Sequence, residues 1–335
     1  MTAHRKSPAR LAALSAVLFA LLTSLVGCGA DRSGGRAPHD TGTPRPSATA
    51  EPSGPPTVRL DRRIAAYAAV FSARTGYQQP SRDDRRTVAG AVGLVLDGRR
   101  TEATRELATV DYALTVHVDA ATGREYAEIA DRSTRSPAPR GWGRVYVDLS
   151  APVRWSVQVP HPVADQHTEV LGARALLSSP GGVLVIAGAH RDAGRDGAAD
   201  VAHRRDTVFD AVCDELAARG LPGVQVHGFA DDSASDYDVI ASPGVGSVGR
   251  ADGRLLAGAL TDRSFRVCRA WVRSCPLEGA TNVQGQAAAD RHVPFLHVEF
   301  ANSVRTDSWQ VARAVSAVQS LVREWGERRT VGDRG

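Results

Sequence analysis

The sequence predicts an α/β fold, with a mixed sheet flanked by helices and an N-terminal region of helices and a β-hairpin. Three observations support this prediction. From residue 155 onward, short apolar runs alternate with amphipathic segments of helical length, which is typical of an α/β sheet. Residues 60–108 repeat apolar side chains at the spacing of three and four found on helices. Residues 110–129 hold two alternating runs around Ala120-Ala121-Thr122-Gly123, a hairpin pattern.

The first half of the predicted fold, residues 58–150, reads as helices followed by strands. Gln79-Pro80-Ser81 separates two helical segments, and the run 145–149 continues the strands after the hairpin. This half carries no cluster of titratable groups, and His117 is a lone histidine that we expect to be structural. We predict a helical cap and a β layer that joins the sheet of the second domain, residues 151–328.

The second half alternates predicted strands with predicted helices. The strands cover residues 156–159, 183–187, 224–227, 237–241, 265–269 and 294–300. The helices cover residues 169–177, 208–218, 249–260, 283–289 and 309–325. In open α/β sheets, ligands bind beyond the carboxyl ends of the strands, so polar residues that follow these runs are the first candidates for a site.

The N-terminus is typical of an export signal. Arg5, Lys6 and Arg10 precede the apolar run 11–26, which ends in Leu25-Val26-Gly27-Cys28. This ending resembles a bacterial lipobox, so we expect residues 1–27 to be a lipoprotein signal peptide. We expect a lipid on Cys28 that anchors the chain outside the cytoplasm. An ordinary secretory signal or a single membrane anchor is the alternative, and both would also place the remaining chain outside the cytoplasm.

Residues 28–57 are rich in Gly, Pro, Ser and Thr and contain few large apolar residues, so we predict a disordered tether. Loss of residues 1–27 would lower the net charge from +4 to +1, because the segment holds three basic and no acidic residues. A nearly neutral chain offers no electrostatic reason to bind nucleic acid. Oligomeric state is not readable from this sequence.

The cysteines favour a disulfide over a metal site. Cys268 and Cys275 flank a short segment after a predicted strand, and disulfides form readily outside the cytoplasm, so we predict that they pair. Cys213 lies on the apolar face of a predicted helix and is expected to be a buried thiol. No C-x-x-C spacing occurs, which argues against a cysteine-based metal site.

Ligand-type residues crowd into residues 159–169, directly after the first strand of the second half. Imidazole and carboxylate are the ligands that Zn²⁺ takes in hydrolases, where one position stays open for water. We predict His161 as a zinc ligand, with Asp165 or Glu169 as the carboxylate ligand, because spacing alone does not choose between them. The alternative is a solvated strand-to-helix loop in which Asp165 or Thr168 caps the helix.

Two later strands supply the other central candidates. His227 ends an apolar run and precedes Gly228, which allows a close approach of the backbone, so we predict His227 as the distal zinc ligand. Glu299 interrupts an apolar run, a costly position unless the carboxylate is paired or functional, and it is the predicted general base. His297 shares the strand face of Glu299 but is expected to be a core histidine.

Donors to the substrate complete the predicted site. Arg305 and Asn282 are predicted donors either to the oxyanion that develops during amide hydrolysis or to a carboxylate of the substrate. His190 and Arg191, which follow a strand, and Asn282 are predicted substrate contacts.

The order His…Glu…His…Glu along an α/β sheet is similar to that of the zinc carboxypeptidase-like superfamily. In its phage-type poly-γ-glutamate hydrolases, acidic residues follow the first histidine, a His-Arg segment follows a strand, and an Asn…Glu…Arg run closes the domain. The matching residues here are His161, Asp165, Glu169, His190, Arg191, His227, Gly228, Asn282, Glu299 and Arg305. Zinc-dependent N-acetylmuramoyl-alanine amidases form a second similar branch. The resemblance covers residues 155–325, and Pro162-Val163-Ala164 replaces the Gly-rich turn of both branches.

The resemblance implies a zinc-dependent hydrolase of amide bonds, with a peptide-like or poly-glutamyl substrate. The bond would be a γ-glutamyl or a cell-wall peptide bond. The alternative is a non-catalytic lipoprotein that binds a solute or the cell wall. Glu299 favours the enzyme, because a binding protein has no need of a buried base. A serine esterase is disfavoured, since the sequence lacks a G-x-S-x-G motif.

Overall fold

Residues 54–332 are described by a computed structural model, in which ten strands form one sheet. The strands are β1 (Thr57–Val58), β2 (Tyr112–Asp119), β3 (Glu125–Asp131), β4 (Arg144–Asp148), β5 (Trp155–Val159), β6 (Gly182–Ile186), β7 (Gly223–Phe229), β8 (Val239–Ser242), β9 (Val267–Arg269) and β10 (Phe295–Ala301). The predicted signal peptide, the lipidation of Cys28 and most of the predicted tether lie outside the described residues.

Helices precede and separate the strands. They are α1 (Leu60–Ala68), α2 (Arg82–Leu96), α3 (Arg100–Ala108), α4 (Thr168–Ser178), α5 (Val208–Ala218), α6 (Arg250–Thr261), α7 (Val283–Asp290), α8 (Asn302–Thr306) and α9 (Ser308–Gly332). Local sequence explains several of their ends. Ser81 and Asp84 form a capping box at the start of α2, and Thr207 caps α5 by accepting a hydrogen bond from the backbone N–H of Asp210.

The sheet is mixed, with strand order β1-β2-β3-β4-β6-β5-β7-β10-β8-β9. Its central strands β6, β5, β7 and β10 run parallel, whereas β2, β3 and β4 form an antiparallel meander on one side and β8 pairs antiparallel with β10 on the other. The predicted fold class is therefore confirmed. The boundary predicted near residue 150 falls between β4 and β5 of this one sheet.

Both faces of the sheet are covered by helices. One core joins the strands to α1, α4, α6 and α9, and the other joins them to α2, α3 and α5. The central strands are buried on both faces, and their sequences accordingly read as almost continuous apolar runs. Polar side chains within those runs are therefore unusual and need partners or a function. None of the helices described is long and apolar enough to cross a membrane.

The chain order of the parallel strands creates a crevice at one edge. From β5 the chain passes to β6 on one side and then to β7 on the other, so the connections diverge above β5 and β7. This is the point at which open α/β sheets bind ligands. A disulfide joins Cys268 in β9 to Cys275, at the start of the loop 275–282 that leads to α7. Cys213 is a buried free thiol.

Candidate metal centre

His161 lies just beyond β5 and is held between two carboxylates. Its Nε2 atom is 2.8 Å from Oδ1 of Asp200, its Nδ1 atom is 3.3 Å from Oδ2 of Asp165, and the residue is 1% exposed. Burial lowers the pKa of His161, but the hydrogen bonds to the two carboxylates outweigh it and leave the pKa above its usual value. A carboxylate behind an imidazole is the arrangement that orients histidine ligands of metals.

Asp165 also reaches the second predicted histidine ligand. Its Oδ2 atom is 3.3 Å from Nδ1 of His227 and accepts a hydrogen bond of 3.3 Å from the backbone N–H of Gly228. Burial raises the pKa of Asp165, but the two imidazoles more than offset this and hold the pKa well below its usual range. His161, Asp165 and His227 thus present ligand atoms that all lie within 4.8 Å of one another.

The protonation state of His227 favours the binding of a cation by this cluster. Its Nε2 atom lies 2.7 Å from Oε1 of Gln225, and because an amide oxygen can only accept, this contact calls for a proton on Nε2. Burial, assisted by the neighbouring His297, lowers the pKa of His227 to about 4, so the ring carries one proton at neutral pH. The Nδ1 lone pair of His227 then faces an ionised carboxylate oxygen of Asp165 without a proton between them, which is unfavourable unless a positive charge lies there. Two imidazoles and one carboxylate are a ligand set of catalytic zinc sites, so these residues fit Zn²⁺.

Of the two carboxylates left open by the sequence, Asp165 is the one that meets the histidines. Glu169 lies in the first turn of α4, and among the described residues it belongs to neither of the two groups able to hold a metal. The N-cap of α4 is His167, with a φ of 67°, and no side-chain hydrogen bond caps the helix. The alternative of a loop that serves only to cap α4 through Asp165 or Thr168 is therefore wrong.

Glu299 lies opposite His227 on the neighbouring parallel strand. Its Oε1 atom is 3.2 Å from Nε2 of His297, whereas its Oε2 atom is buried and has no hydrogen-bond partner. His227, His297 and Glu299 form a second group of ligand atoms within 4.8 Å of one another. A buried carboxylate oxygen without a partner, next to metal-ligand side chains, is well placed to accept a proton.

These side chains open into a cavity of about 250 Å³. It is lined by His161, Arg191, Ala202, His203, His227, Leu277, Gly279, Thr281, Asn282, His297 and Glu299. The loop 275–282 forms one wall, and Gly279 packs directly on the imidazole of His297. A Cβ atom at Gly279 would lie only 2.4 Å from Cγ of that ring, and the φ of +68° also favours glycine there.

Of the two predicted substrate residues that follow β6, Arg191 lies at the cavity and His190 does not. Arg191 lines the cavity, where its Nη2 donates to Oδ2 of Asp200 at 2.6 Å and its Nη1 lies 3.5 Å from Nδ1 of His161. His190 is not among the lining residues, and its Nδ1 accepts a hydrogen bond from the backbone N–H of Asp192. Arg191 is therefore the cation that a substrate in the cavity can reach.

Arg305 requires a correction. Its guanidinium donates hydrogen bonds to three backbone carbonyls: Nε to Phe300, Nη1 to Gln166 and Nη2 to Phe229. These bonds connect three separate segments of the chain. Gly228 makes room for it, because a Cβ atom there would lie 2.4 Å from Cζ of Arg305. The guanidinium is committed within the protein and does not line the cavity, contrary to the predicted oxyanion donor.

Asn282, a predicted substrate contact, is held in place by hydrogen bonds of its own side-chain amide. Its Oδ1 accepts a hydrogen bond from the backbone N–H of Gly285 and caps α7, while its Nδ2 donates to Oε1 of Gln225. The residue lines the cavity, but both ends of its amide are already engaged. Asn282 is linked to His227 through Oε1 of Gln225, which contacts both side chains.

Sequence reasoning missed Asp200 and Gln225. Gln225 precedes His227 by two residues in a strand, so both side chains share one face, and a buried glutamine in an apolar run was a usable signal. Asp200 lies in the loop between β6 and α5, where no periodicity marks it. Its carboxylate contacts His161, Arg191 and His203, and although burial opposes the effect, those cationic or hydrogen-bonding partners hold its pKa well below the usual range.

No protein-family model matches the sequence, and no curated protein sequence matches it. Solved structures with a similar chain path include an N-formylglutamate amidohydrolase from Ralstonia eutropha, with 11% identity over 53% of this chain and 94% of that chain and a TM-score of 0.39. A putative carboxypeptidase A from Shewanella denitrificans has 13% identity over 68% of this chain and 69% of its own, with a TM-score of 0.37. The catalytic domain of an N-acetylmuramoyl-L-alanine amidase from Bacillus (Paenibacillus) polymyxa has 10% identity over 52% of this chain and 98% of its own, with a TM-score of 0.32.

Proposed function

We propose that this protein is a zinc-dependent amidohydrolase or peptidase. The observation that carries the proposal is the buried cluster of His161, Asp165 and His227 beside Glu299, in which Oδ2 of Asp165 lies 3.3 Å from Nδ1 of each histidine. The first three residues would hold the ion. Bound there, Zn²⁺ would supply Lewis acidity for an amide carbonyl and a lowered pKa for an attacking water.

The chain's own residues can perform the proton transfers. Glu299 offers the unpartnered Oε2 atom, which can take a proton from the attacking water and return it to the leaving nitrogen. His297 engages the other oxygen and so holds the carboxylate in place. Arg191 can bind an oxygen of the substrate, since its guanidinium borders the cavity. The loop 275–282 forms one wall of the cavity.

The substrate we propose is a γ-glutamyl or cell-wall peptide amide. The resemblance of the motif order to phage-type poly-γ-glutamate hydrolases and to zinc-dependent muramoyl-alanine amidases supports this choice. A cavity of about 250 Å³ admits the two residues around one amide bond more readily than a folded partner. Arg191 adds a preference for a carboxylate near the scissile bond, which both substrate classes carry.

Metal content and hydrolysis test the function together. The purified protein is expected to hold about one zinc per chain, and His161→Ala and His227→Ala are expected to lose it. Glu299→Gln is expected to keep the zinc and to lose at least about 100-fold in kcat, the usual scale for loss of a general base. Hydrolysis is measured as release of amines from γ-glutamyl oligomers and from cell-wall stem peptides.

His117→Ala is the matched control, because His117 and His227 are each 4% exposed but His117 lies on β2, away from the cluster. It should retain the metal. Absence of zinc from the parent protein, even after the metal is supplied, would refute the hydrolase mechanism and favour the non-catalytic binding lipoprotein. Zinc binding without amide hydrolysis by the parent would refute the proposed reaction alone.

We also propose that the protein is anchored to the outside of the cell membrane by a lipid on Cys28. The basis is the Leu25-Val26-Gly27-Cys28 ending of the N-terminal apolar run. Cys28→Ser should prevent labelling of the protein by a radioactive fatty acid. Equal labelling of both proteins would exclude this anchor.

A further inference from the structure

A chain of buried amide side chains lies behind His227. Oε1 of Gln225 accepts hydrogen bonds from Nε2 of His227 and from Nδ2 of Asn282, and Nε2 of Gln225 donates to Oε1 of Gln284 at 3.2 Å. Gln284 in turn donates to the backbone carbonyl of Val201 at 2.9 Å. The three amide residues are at most 3% exposed, so water does not compete for these bonds.

The direction of this chain is fixed at both ends by backbone groups. The carbonyl of Val201 can only accept, so Gln284 must turn its NH₂ group toward it and its oxygen toward Gln225. Gln225 then presents its NH₂ group to Gln284 and its oxygen to His227. At the other end, the N–H of Gly285 can only donate, so Asn282 must face it with oxygen and face Gln225 with its NH₂ group.

Both ends therefore demand the same orientation of Gln225. An amide oxygen beside Nε2 of His227 requires a proton on that nitrogen, and the neutral ring then keeps its lone pair on Nδ1. Nδ1 is the atom that faces Asp165 in the proposed metal centre. A flipped amide would place an NH₂ group against Nε2, favour a proton on Nδ1 and remove the ligand.

We propose that Gln225, Asn282 and Gln284 are positioning residues that hold His227 as the Nε2–H tautomer and thereby prepare Nδ1 to bind a divalent metal. The inference rests on the proposed function in that the metal is taken to be zinc. The tautomer itself is a property of the metal-free protein. The three residues act on the metal through His227, and their side-chain amides are bonded to other groups of the protein.

The test combines two measurements on the full chain. Histidine labelled with ¹⁵N distinguishes the two ring tautomers in the metal-free protein, and His227→Ala identifies the signals of His227. Zinc affinity is measured by competition with a chelator of known affinity. Wild-type protein is expected to show Nε2–H at His227. Gln225→Met, which keeps length but offers no amide oxygen, should show a mixture of tautomers and a zinc affinity about 10- to 100-fold weaker.

Two further variants separate positioning from a merely structural role. Gln284→Met removes the links to Val201 and to Asp210 but leaves Asn282 in place, so its loss of zinc affinity should be smaller than that of Gln225→Met. Gln158→Met removes a partner of Gln225 that does not fix its direction, because Gln158 ends on the hydroxyl of Ser156, and it should leave the tautomer unchanged. All three variants are expected to lose some stability, since each leaves a buried polar group unpaired.

The proposal is overturned by an Nδ1–H signal for His227 in the wild-type protein. It is also overturned if folded Gln225→Met keeps both the tautomer and the zinc affinity of the wild type. A lower Tm with unchanged tautomer and affinity would leave the amides as core packing only. If the wild-type protein binds no zinc, the proposed function fails, while the tautomer still decides whether the amide chain orients His227.

Discussion

Asp210 makes a strong prediction about how stability depends on pH. Its side chain is 3% exposed on α5 and accepts a hydrogen bond of 2.8 Å from Nε2 of Gln284. Burial raises the pKa of Asp210 to about 7, and the nearby Asp214 adds to the rise. In the unfolded chain the pKa is about 3.9. A difference of about three pKa units corresponds to roughly 4 kcal/mol of free energy.

The sign follows from which state binds the proton. Between about pH 4 and pH 7 the folded protein holds a proton on Asp210 that the unfolded chain has released, so this contribution to stability is complete below about pH 4. It is lost as the pH rises through about 7. Asp210→Asn is neutral at every pH and can accept the same hydrogen bond from Gln284. Its free energy of unfolding, relative to wild type, should therefore rise by up to about 4 kcal/mol between pH 4 and pH 8.

The assay is urea unfolding of both proteins at half-unit steps of pH. Groups that do not interact with Asp210 titrate equally in the two proteins and cancel in the difference. Asp214→Asn is a useful companion, because removal of the neighbouring charge should lower the pKa of Asp210 and reduce the pH-dependent loss. Stability curves of wild type and Asp210→Asn that stay parallel across this range would refute the reasoning.

Three more predictions concern the cavity and the disulfide at the start of the loop 275–282. Asp200→Asn removes the charge behind His161 and should weaken zinc affinity by about 10- to 100-fold in a chelator competition, and equal affinities would contradict the orienting role. Gly279→Ala should perturb the His297 ring and lower kcat/KM for the amide substrate, whereas Gly246→Ala, also at positive φ but with open space, should only cost about 1 kcal/mol of stability. Activity that is equally reduced in both glycine variants would argue against the contact. Replacing the disulfide cysteines with serine should cost about 2 kcal/mol in urea unfolding, for a sequence separation of 7, and no change would show that the disulfide does not restrain the unfolded chain.

Local periodicity was enough to find most of the elements. The run predicted as strand 156–159 is β5, and the helix predicted at 208–218 is α5. The two residues of β1 could not be found, because two residues show no alternation and pair only with the distant β2. The order of the strands in the sheet could not be predicted from local patterns either. The antiparallel pairing of β8 with β10 depends on contacts between distant segments, which no local pattern encodes.

The candidate site shows the same division between local and long-range information. The sequence indicated His161, His227 and Glu299 as candidates because each follows or interrupts a buried strand, and the parallel strands bring these positions together. The choice of Asp165 over Glu169 needed the turn in which the N–H of Asp165 donates to the carbonyl of His161. The prediction of Arg305 as an oxyanion donor failed because a sequence cannot distinguish an arginine that binds backbone carbonyls from one that is free to bind a substrate.

The partners of the two histidines differ, and burial explains the difference. Asp200 stands behind His161, where its side chain is 20% exposed and Arg191 neutralises it. Gln225 stands behind His227 at 0% exposure, and no arginine among the described residues is paired with it. An ionised carboxylate at position 225 would lose its hydration without compensation, whereas an amide supplies the same acceptor oxygen at much lower cost. The burial of the partner, and not that of the histidine, therefore decides which side chain contacts each imidazole, and only the partly exposed partner, Asp200, carries a charge.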